Sequence, residues 1–508
     1  MPSNHSMPQY PESYWREVPQ ASFEKLSEHT SADVVIVGGG ITGITAGYLL
    51  VKEGLKVIIL EAGSILTGTT GHTTAKLTAQ HGLIYDEYIN HFGLEKAKLY
   101  YQSQSKAIDL VRHLVKEHNI DCDFSEENAI IYSTTDEYAK KLEMEAKAYQ
   151  KLGIDSALED SIPFNIQTKN ALIMKNQVQF HPLKYLKELV SAFVKAGGII
   201  YENTTAADIG EGDQPVVITR DGHRVKGKHV IVASHYPFVD VMGFYFARMY
   251  PSRSYVLGIK SEKDFPGGMY ISAETPTRSL RSTPYNDGEL ILVGGESHKT
   301  GQGINMMEHY EALTAFADEV FGISEFPYRW SAQDLITLDK LPYIGPITGT
   351  KRNIYVATGF RKWGMTNSNV AANLLKDMIM EKENPYSELY DPSRFQADPS
   401  LKKVISINTD VASHLIKGKL EVVTREPNDL KEDEGSVVMV KGKRAGAYKD
   451  KDGKLHIVDT TCTHMGCETE WNAGERTWDC PCHGSRYTYD GEVLNGPTKL
   501  PLKKIDLD

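Results

Sequence analysis

Six residues late in the chain have the types and spacing for metal–sulfur chemistry. Cys462-Thr463-His464-Met465-Gly466-Cys467 is followed by Cys480-Pro481-Cys482-His483-Gly484-Ser485. Two Cys–His pairs offer two thiolates and two imidazoles. A binuclear iron–sulfur centre with two cysteines on one iron and two histidines on the other requires that set. Zinc also accepts two cysteines and two histidines. It would leave two of the clustered cysteines without a role, and the Cys-Pro-Cys-His-Gly turn is not finger-like.

A second group points to phosphate binding. Val34-Val35-Ile36-Val37-Gly38-Gly39-Gly40-Ile41-Thr42-Gly43 satisfies G-x-G-x-x-G through Gly38, Gly40 and Gly43. A β-branched run at 32–37 precedes it, helical spacing at 41–53 follows, and a second apolar run at 55–60 ends at Glu61. That context is what a dinucleotide fingerprint needs. Gly38 allows the tight turn, Gly40 lets the backbone approach a pyrophosphate, and Gly43 lets helix and strand pack closely. The helix N-terminus offers N–H groups to the anion, and the Glu61 carboxylate can accept from ribose hydroxyls. The alternative is a purely structural glycine turn. The fingerprint does not separate NAD from FAD.

The elements that must hold these residues follow from length and periodicity. The chain has 508 residues, 41% hydrophobic and 24% charged. That is an ordinary globular balance with room for two to four domains. A net charge of −11 argues against a nucleic-acid partner. Of five cysteines, only Cys122 stands apart from the late cluster, which excludes a secreted disulfide scaffold. No secretory signal is visible, and five glycines interrupt the uncharged run at 34–51, so no membrane span is expected and the reading is a cytoplasmic protein. Strands are expected at 199–203, 216–219, 229–233, 270–272 and 290–293. Helices are expected at 94–117, 135–152, 182–196, 305–320 and 367–381. Residues 1–31 read as a surface arm. Asn-Pro and Asp-Pro pairs mark a linker at 386–417, with a short amphipathic stretch at 402–417. Short β runs with Asp-Gly and Asn-Gly turns then suggest a small all-β domain over 418–508.

Residues 30–385 resemble the FAD-dependent amine and amino-acid oxidoreductases, the D-amino-acid oxidase and glycine oxidase superfamily. The matching pieces are VVIVGGGITGITAGYLL, the LEAG at 60–63, and WSAQD at 330–334 with Thr337-Leu338-Asp339 and Leu341-Pro342-Tyr343-Ile344-Gly345. The block closes with IYVATGFRKWGMT at 354–366. The resemblance implies FAD and an α/β architecture over 32–385, a Rossmann-like FAD-binding domain with an interleaved α+β substrate subdomain. It implies that the turn bearing Gly359, Gly364, Met365 and Thr366 returns to the flavin ring, where a helix N-terminus favours negative charge. His72, in the loop at 68–74, matches a histidine that some relatives of the dimethylglycine dehydrogenase type bond covalently to the flavin; the alternative is a plain loop histidine. Lys362, with Arg361 beside it, matches a basic residue that holds a substrate carboxylate. Tyr255, Arg253, Arg278 and Arg281 come from the strand-rich region that would roof the flavin, where any of them could clamp an anion and Tyr255 would orient the substrate. Each arginine is equally readable as ordinary surface charge.

The late cysteine–histidine pair of motifs resembles the Rieske domain of the cytochrome bc type over 418–508. By that resemblance Cys462 and Cys480 bind one iron of a [2Fe-2S] cluster, His464 and His483 bind the other, and Cys467 pairs with Cys482 in a disulfide. Ser485 and Tyr487 match positions that hydrogen-bond cluster sulfurs, and Gly496-Pro497 matches the proline loop that covers the cluster.

Together these features read as a FAD-dependent oxidoreductase that oxidises the C–N bond of an amine or amino acid. Electrons would leave one at a time through the cluster to an external one-electron acceptor. The alternatives are a cluster that receives electrons from a donor and feeds a reductase or monooxygenase flavin, or a redox module that turns nothing over. A Rieske dioxygenase is disfavoured, because no histidine pair with a carboxylate has the spacing for mononuclear iron. Neither substrate nor redox partner is named by the sequence.

Overall fold

The computed structural model describes residues 7–210, 212–239, 242–303, 305–394, 408–411, 413–415, 418 and 423–506. The first sheet grows from the fingerprint. β1 (Thr30–Val37) and β2 (Val57–Leu60) flank helix α1 (Ile41–Lys52). Both strands run parallel and carry four consecutive buried residues, VVIV and VIIL. Uninterrupted apolar runs of this kind mark strands covered by helices on both faces. The sheet order is β16-β17-β10-β1-β2-β7, with β7 at Ile199–Tyr201, β10 at Arg224–Val232, β16 at Tyr343–Thr348 and β17 at Lys351–Thr358. An antiparallel excursion of β8 (Ala206–Gly210) and β9 (Val216–Thr219) hangs from β10. Helices α5 (Pro182–Lys195) and α7 (Gly364–Ile379) pack against α1 on one face.

The second sheet is built from the chain between these strands. Its order is β15-β11-β14-β13-β12-β4-β6-β3, with β5 paired to β6. Its strands come from two stretches. β3 (Lys76–Leu77), β4 (Ser125–Ser133), β5 (Ser156–Glu159) and β6 (Asn170–Gln179) precede β7. β11 (Met249–Ser261), β12 (Met269–Ser272), β13 (Arg278–Tyr285), β14 (Gly288–Lys299) and β15 (Ile323–Thr337) follow β10. The two subdomains are therefore interleaved, as expected. Helices α2 (Tyr85–Phe92), α3 (Leu94–Glu117), α4 (Asp136–Leu152) and α6 (Met307–Phe321) cover them. The last body is all β. A three-stranded sheet holds β18 (Glu434–Val440), β19 (Lys443–Lys449) and β20 (Leu455–Val458). A four-stranded sheet holds β21 (Glu470–Asn472), β22 (Thr477–Asp479), β23 (Arg486–Thr488) and β24 (Val493–Asn495).

Two boundary readings need correction. Residues 7–31 are more than a surface arm, because Tyr14 and Trp15 are buried in the main core. The Trp15 Nε1–H donates to the Thr73 carbonyl at 2.7 Å and the Tyr14 hydroxyl to that of Pro284 at 2.9 Å. Burying two large aromatic rings outweighs the polar composition around them. The FAD body also runs past 385. Helix α8 (Ser387–Tyr390) brings Leu389 and Tyr390 into the core, and Arg394 forks onto Asp339 at 2.8 and 3.0 Å. Most of the amphipathic stretch at 402–417 lies outside the described residues. Among the described residues no helix is long and apolar enough to cross a membrane.

Candidate functional site

The fingerprint turn is made of glycine because nothing larger fits. Gly38 has φ +114°, and a Cβ on it would stand 2.4 Å from the Ala233 carbonyl oxygen. A Cβ on Gly43 would stand 1.9 Å from the Gly38 carbonyl oxygen, so Gly43 serves the close helix–strand packing expected of it. The Glu61 carboxylate accepts from the Gly39 and Gly63 N–H groups at 2.8 and 3.0 Å, which fixes it at the end of β2. Burial raises its pKa above the ordinary carboxylate value against those hydrogen bonds.

From this turn a cavity of about 670 Å³ runs between the two sheets. Gly38, Gly40 and Glu61 line it, and so do Gly359, Lys362, Gly364 and Met365. A glycine cradle, a helix N-terminus and a half-buried acid on one void are the donor set for FAD, and these residues fit it. Gly359, at φ +73°, turns the chain there, and a Cβ on it would meet Thr337 Cγ2 at 2.3 Å. Thr366 does not line the cavity. Its hydroxyl donates to the Thr78 carbonyl at 2.8 Å and accepts from the Thr78 N–H at 3.1 Å, tying α7 to the segment after β3.

The residues expected around a substrate sort differently. Lys362 lines the cavity, and its ammonium donates to the Ser297 hydroxyl. Arg361 also lines the cavity, but its guanidinium donates to the His81 carbonyl at 2.6 Å. Tyr255 borders the cavity but is fully buried, and its hydroxyl meets His298 Nε2 at 2.9 Å and donates to the Met306 sulfur at 3.2 Å. His72 lines the cavity with Nδ1 held by the Gly68 carbonyl at 2.8 Å, so Nε2 is the nitrogen left for a flavin contact. Arg253, Arg278 and Arg281 are not among the lining residues. Arg281 donates to the Thr74 and Ala75 carbonyls, Arg278 pairs with Glu296 at 2.6 Å, and Arg253 donates to the Ser331 hydroxyl.

Sequence reasoning missed Asp334, which also lines the cavity. Burial raises its carboxyl to about 7, with the nearby Lys362 pulling the other way. Burial lowers Lys362 to about 8, with Asp334 opposing the shift. Lys362 presents free surface to the void yet is enclosed by protein rather than bulk water, and that enclosure desolvates it. The available signal was strand alternation in WSAQD, where neighbouring residues must face opposite sides of β15.

The second site is built from two similar turns. Cys462 N–H donates to the Cys467 carbonyl at 2.8 Å, and Cys480 N–H to the Ser485 carbonyl at 2.8 Å. The turns face each other, with the His464 and His483 rings 5.0 Å apart and nearly perpendicular. Cys467 and Cys482 form a disulfide. The Sγ atoms of Cys467, Cys480 and Cys482 lie within 4.8 Å of one another, but two of the three are spent in that bond. Cys462 and Cys480 remain as buried free thiols. A hydrogen bond with Cys480 is the main cause that pulls the Cys462 thiol down to about 5. Nδ1 of His483 is buried with no protein partner. Two thiols, two imidazoles and an orphaned buried ring nitrogen fit a [2Fe-2S] cluster. The Tyr487 hydroxyl lies 3.2 Å from the Cys462 sulfur, and the Ser485 hydroxyl accepts from the Thr498 N–H at 3.2 Å.

The two sites share a wall. The Gln333 side-chain amide donates to the Gly484 carbonyl at 2.9 Å, one residue along β15 from Asp334. A Cβ on Gly484 would stand 2.5 Å from Pro251, and one on Gly301 would stand 2.6 Å from the Pro481 nitrogen. The Phe246 ring meets His483 edge-on at 5.8 Å. The Cys480–Ser485 turn therefore rests directly on β11 and β15.

Comparison with known proteins agrees with this arrangement. The family model described as FAD dependent oxidoreductase matches residues 33–378, and that of the Rieske [2Fe-2S] domain matches residues 421–506. The chain is 52% identical, over the full length of both, to YhfW of Bacillus subtilis (strain 168), which carries the name of a Rieske 2Fe-2S iron-sulfur protein. It is 24% identical to gamma-glutamylputrescine oxidoreductase of Escherichia coli (strain K12), over 71% of this chain and 86% of that one. The fold is similar to that of glycine oxidase from Geobacillus kaustophilus. The TM-score is 0.61 and the identity 22%, over 72% of this chain and 99% of that one.

Proposed function

The chain belongs to the FAD dependent oxidoreductase family and ends in a Rieske [2Fe-2S] domain; on that premise we propose that it oxidises the C–N bond of a small amine or amino acid and passes the electrons out singly through the cluster. The observation that carries this reading is the strand β15, which presents Asp334 to the cavity and Gln333 to the turn of His483. The named function of the curated relative, a gamma-glutamylputrescine oxidoreductase, supports an amine-type substrate. When bound, FAD accepts a hydride and the cluster carries one electron at a time.

The protein's own groups have separable tasks. An ammonium substrate cannot give up a hydride easily while its nitrogen lone pair holds a proton. The Asp334 carboxylate accepts that proton at a side-chain oxygen, and its pKa of about 7 suits a base working near neutrality. The Lys362 ammonium holds an anionic group of the substrate, and the Ser297 hydroxyl aims it. The N-terminus of α7, at Gly364 and Met365, favours the negative charge that accompanies reduction. The second sheet keeps bulk water from the reacting carbon.

An anaerobic titration tests the reading. A panel of amines and amino acids is added to purified protein while flavin absorbance and the EPR signal of the reduced cluster are followed. We expect one class to bleach the flavin and then bring up the cluster signal. A flavin that bleaches while the cluster stays oxidised would sink the proposal.

A further inference from the structure

We propose that the Rieske domain supplies part of the FAD site itself, closing the adenylate end of the cofactor with residues 492–499. This rests on FAD being the occupant of the cavity and is independent of the substrate. Residues 492–499 line the same cavity as Gly38, Gly40 and Glu61. They sit at the fingerprint end. The Lys499 ammonium donates to the Ala207 carbonyl at 2.9 Å, and Arg220 donates to the Lys499 carbonyl at 2.6 Å. Ala206 and Arg220 are themselves lining residues, and the neighbouring Thr204 N–H donates to the Glu61 carbonyl at 2.8 Å. A Cβ on Gly496 would lie 3.6 Å from Cβ of Tyr236, so the turn also rests on the segment after β10.

The same segment is fastened to both cluster turns. Thr498 N–H donates to the Ser485 hydroxyl, and the Thr498 and Thr463 hydroxyls meet at 2.5 Å. Thr463 also donates to the Leu500 carbonyl at 2.7 Å. One short piece of chain thus touches the iron–sulfur turns on one side and the dinucleotide void on the other. The unrelated position of the two binding motifs in the sequence gives no hint of this. A lid made by another domain binds only while that domain is docked, so FAD and the docked Rieske domain stabilise each other by linkage. Arg220 and Lys499 act as positioning residues that hold the lid.

The test uses the full chain with its cluster in place. FAD is removed and rebound while flavin fluorescence reports the Kd, for the parent protein and for the double variant Arg220→Ala, Lys499→Ala. We expect the variant to bind FAD at least fivefold more weakly with an unchanged cluster EPR spectrum. A smaller change overturns the proposal. If the variant loses its cluster or does not fold, amide hydrogen exchange on the parent protein decides. Slower exchange at 494–499 in the FAD-loaded form supports a lid, and equal exchange with and without FAD refutes it.

Discussion

The side-chain amide of Gln333 donates to the Gly484 carbonyl at 2.9 Å, and the residue after Gln333 faces the flavin cavity. The turn carrying His483 is thereby bonded to the strand that walls the other redox site. The two sites therefore lie on opposite faces of one strand.

Replacing Gln333 with Leu leaves the buried Gly484 carbonyl without its donor, at a cost of about 1–3 kcal/mol. The loss falls on the seating of the cluster turn, not on substrate binding. Stopped-flow absorbance should show flavin bleaching at the parent rate. Freeze-quench EPR should show cluster reduction slowed by roughly tenfold, which matches about 1.4 kcal/mol.

The acid–base pair in the cavity predicts a bell-shaped pH profile for flavin reduction. Below about 7 the raised Asp334 is protonated and cannot accept, so kcat/KM rises with pH through that value. Above about 8 the lowered Lys362 loses its charge and its hold on an anionic group, so kcat/KM falls. Asp334→Asn should lower kcat/KM by ~10²–10⁴ and remove the acidic limb. A Lys362→Met variant should instead raise KM and remove the alkaline limb.

With a cluster bound at Cys462, a hydrogen bond from the Tyr487 hydroxyl to that sulfur would stabilise the more negative, reduced state. A hydrogen bond of about 1 kcal/mol corresponds to roughly 40 mV for a one-electron couple. Tyr487→Phe should lower the cluster potential by about that amount in film voltammetry, with the absorption spectrum retained.

The Cys467–Cys482 disulfide closes a loop with a sequence separation of 15. Loops of that size gain about 3 kcal/mol from the cross-link in the chain-entropy model. Replacing both cysteines with alanine should lower the urea midpoint at which cluster absorbance is lost.

Asp433 predicts an acid-sensitive latch. Arg476 forks onto its carboxylate at 2.6 and 2.5 Å, and the Tyr448 hydroxyl adds a bond at 2.8 Å. The Arg476 hydrogen bond is the leading cause that holds its pKa far below the ordinary 3.8. A depressed carboxylate adds stability that is complete above its unfolded value and fades as pH falls toward the folded one. The Rieske body should therefore lose stability below about pH 4, and Asp433→Asn should flatten that slope in acid titrations followed by circular dichroism.

Much of both cofactor sites was legible because each depends on local spacing. Gly38, Gly40 and Gly43 lie on one turn, and each cluster turn carries its own cysteine and histidine. Asp334 was not legible, since an acid in a β run has a face only once the strand's partners are known. Tyr255 illustrates the same limit: it reads as a substrate-orienting residue over the flavin, but His298, brought in by the next strand over, takes its hydroxyl. The boundary at 385 failed because turn residues at 384–392 looked like a linker, whereas Leu389, Tyr390 and the buried Arg394–Asp339 pair belong to the core.

The N-terminal segment has a consequence for how the molecule is made. The Gln9 carbonyl accepts from Arg329 at 2.6 Å and from Arg476 at 2.9 Å. This piece of chain must wait for partners synthesised hundreds of residues after it. Until Arg476 emerges, Gln9 is held by the flavin body alone, and the nascent protein carries an open seam between its flavin body and its iron–sulfur body.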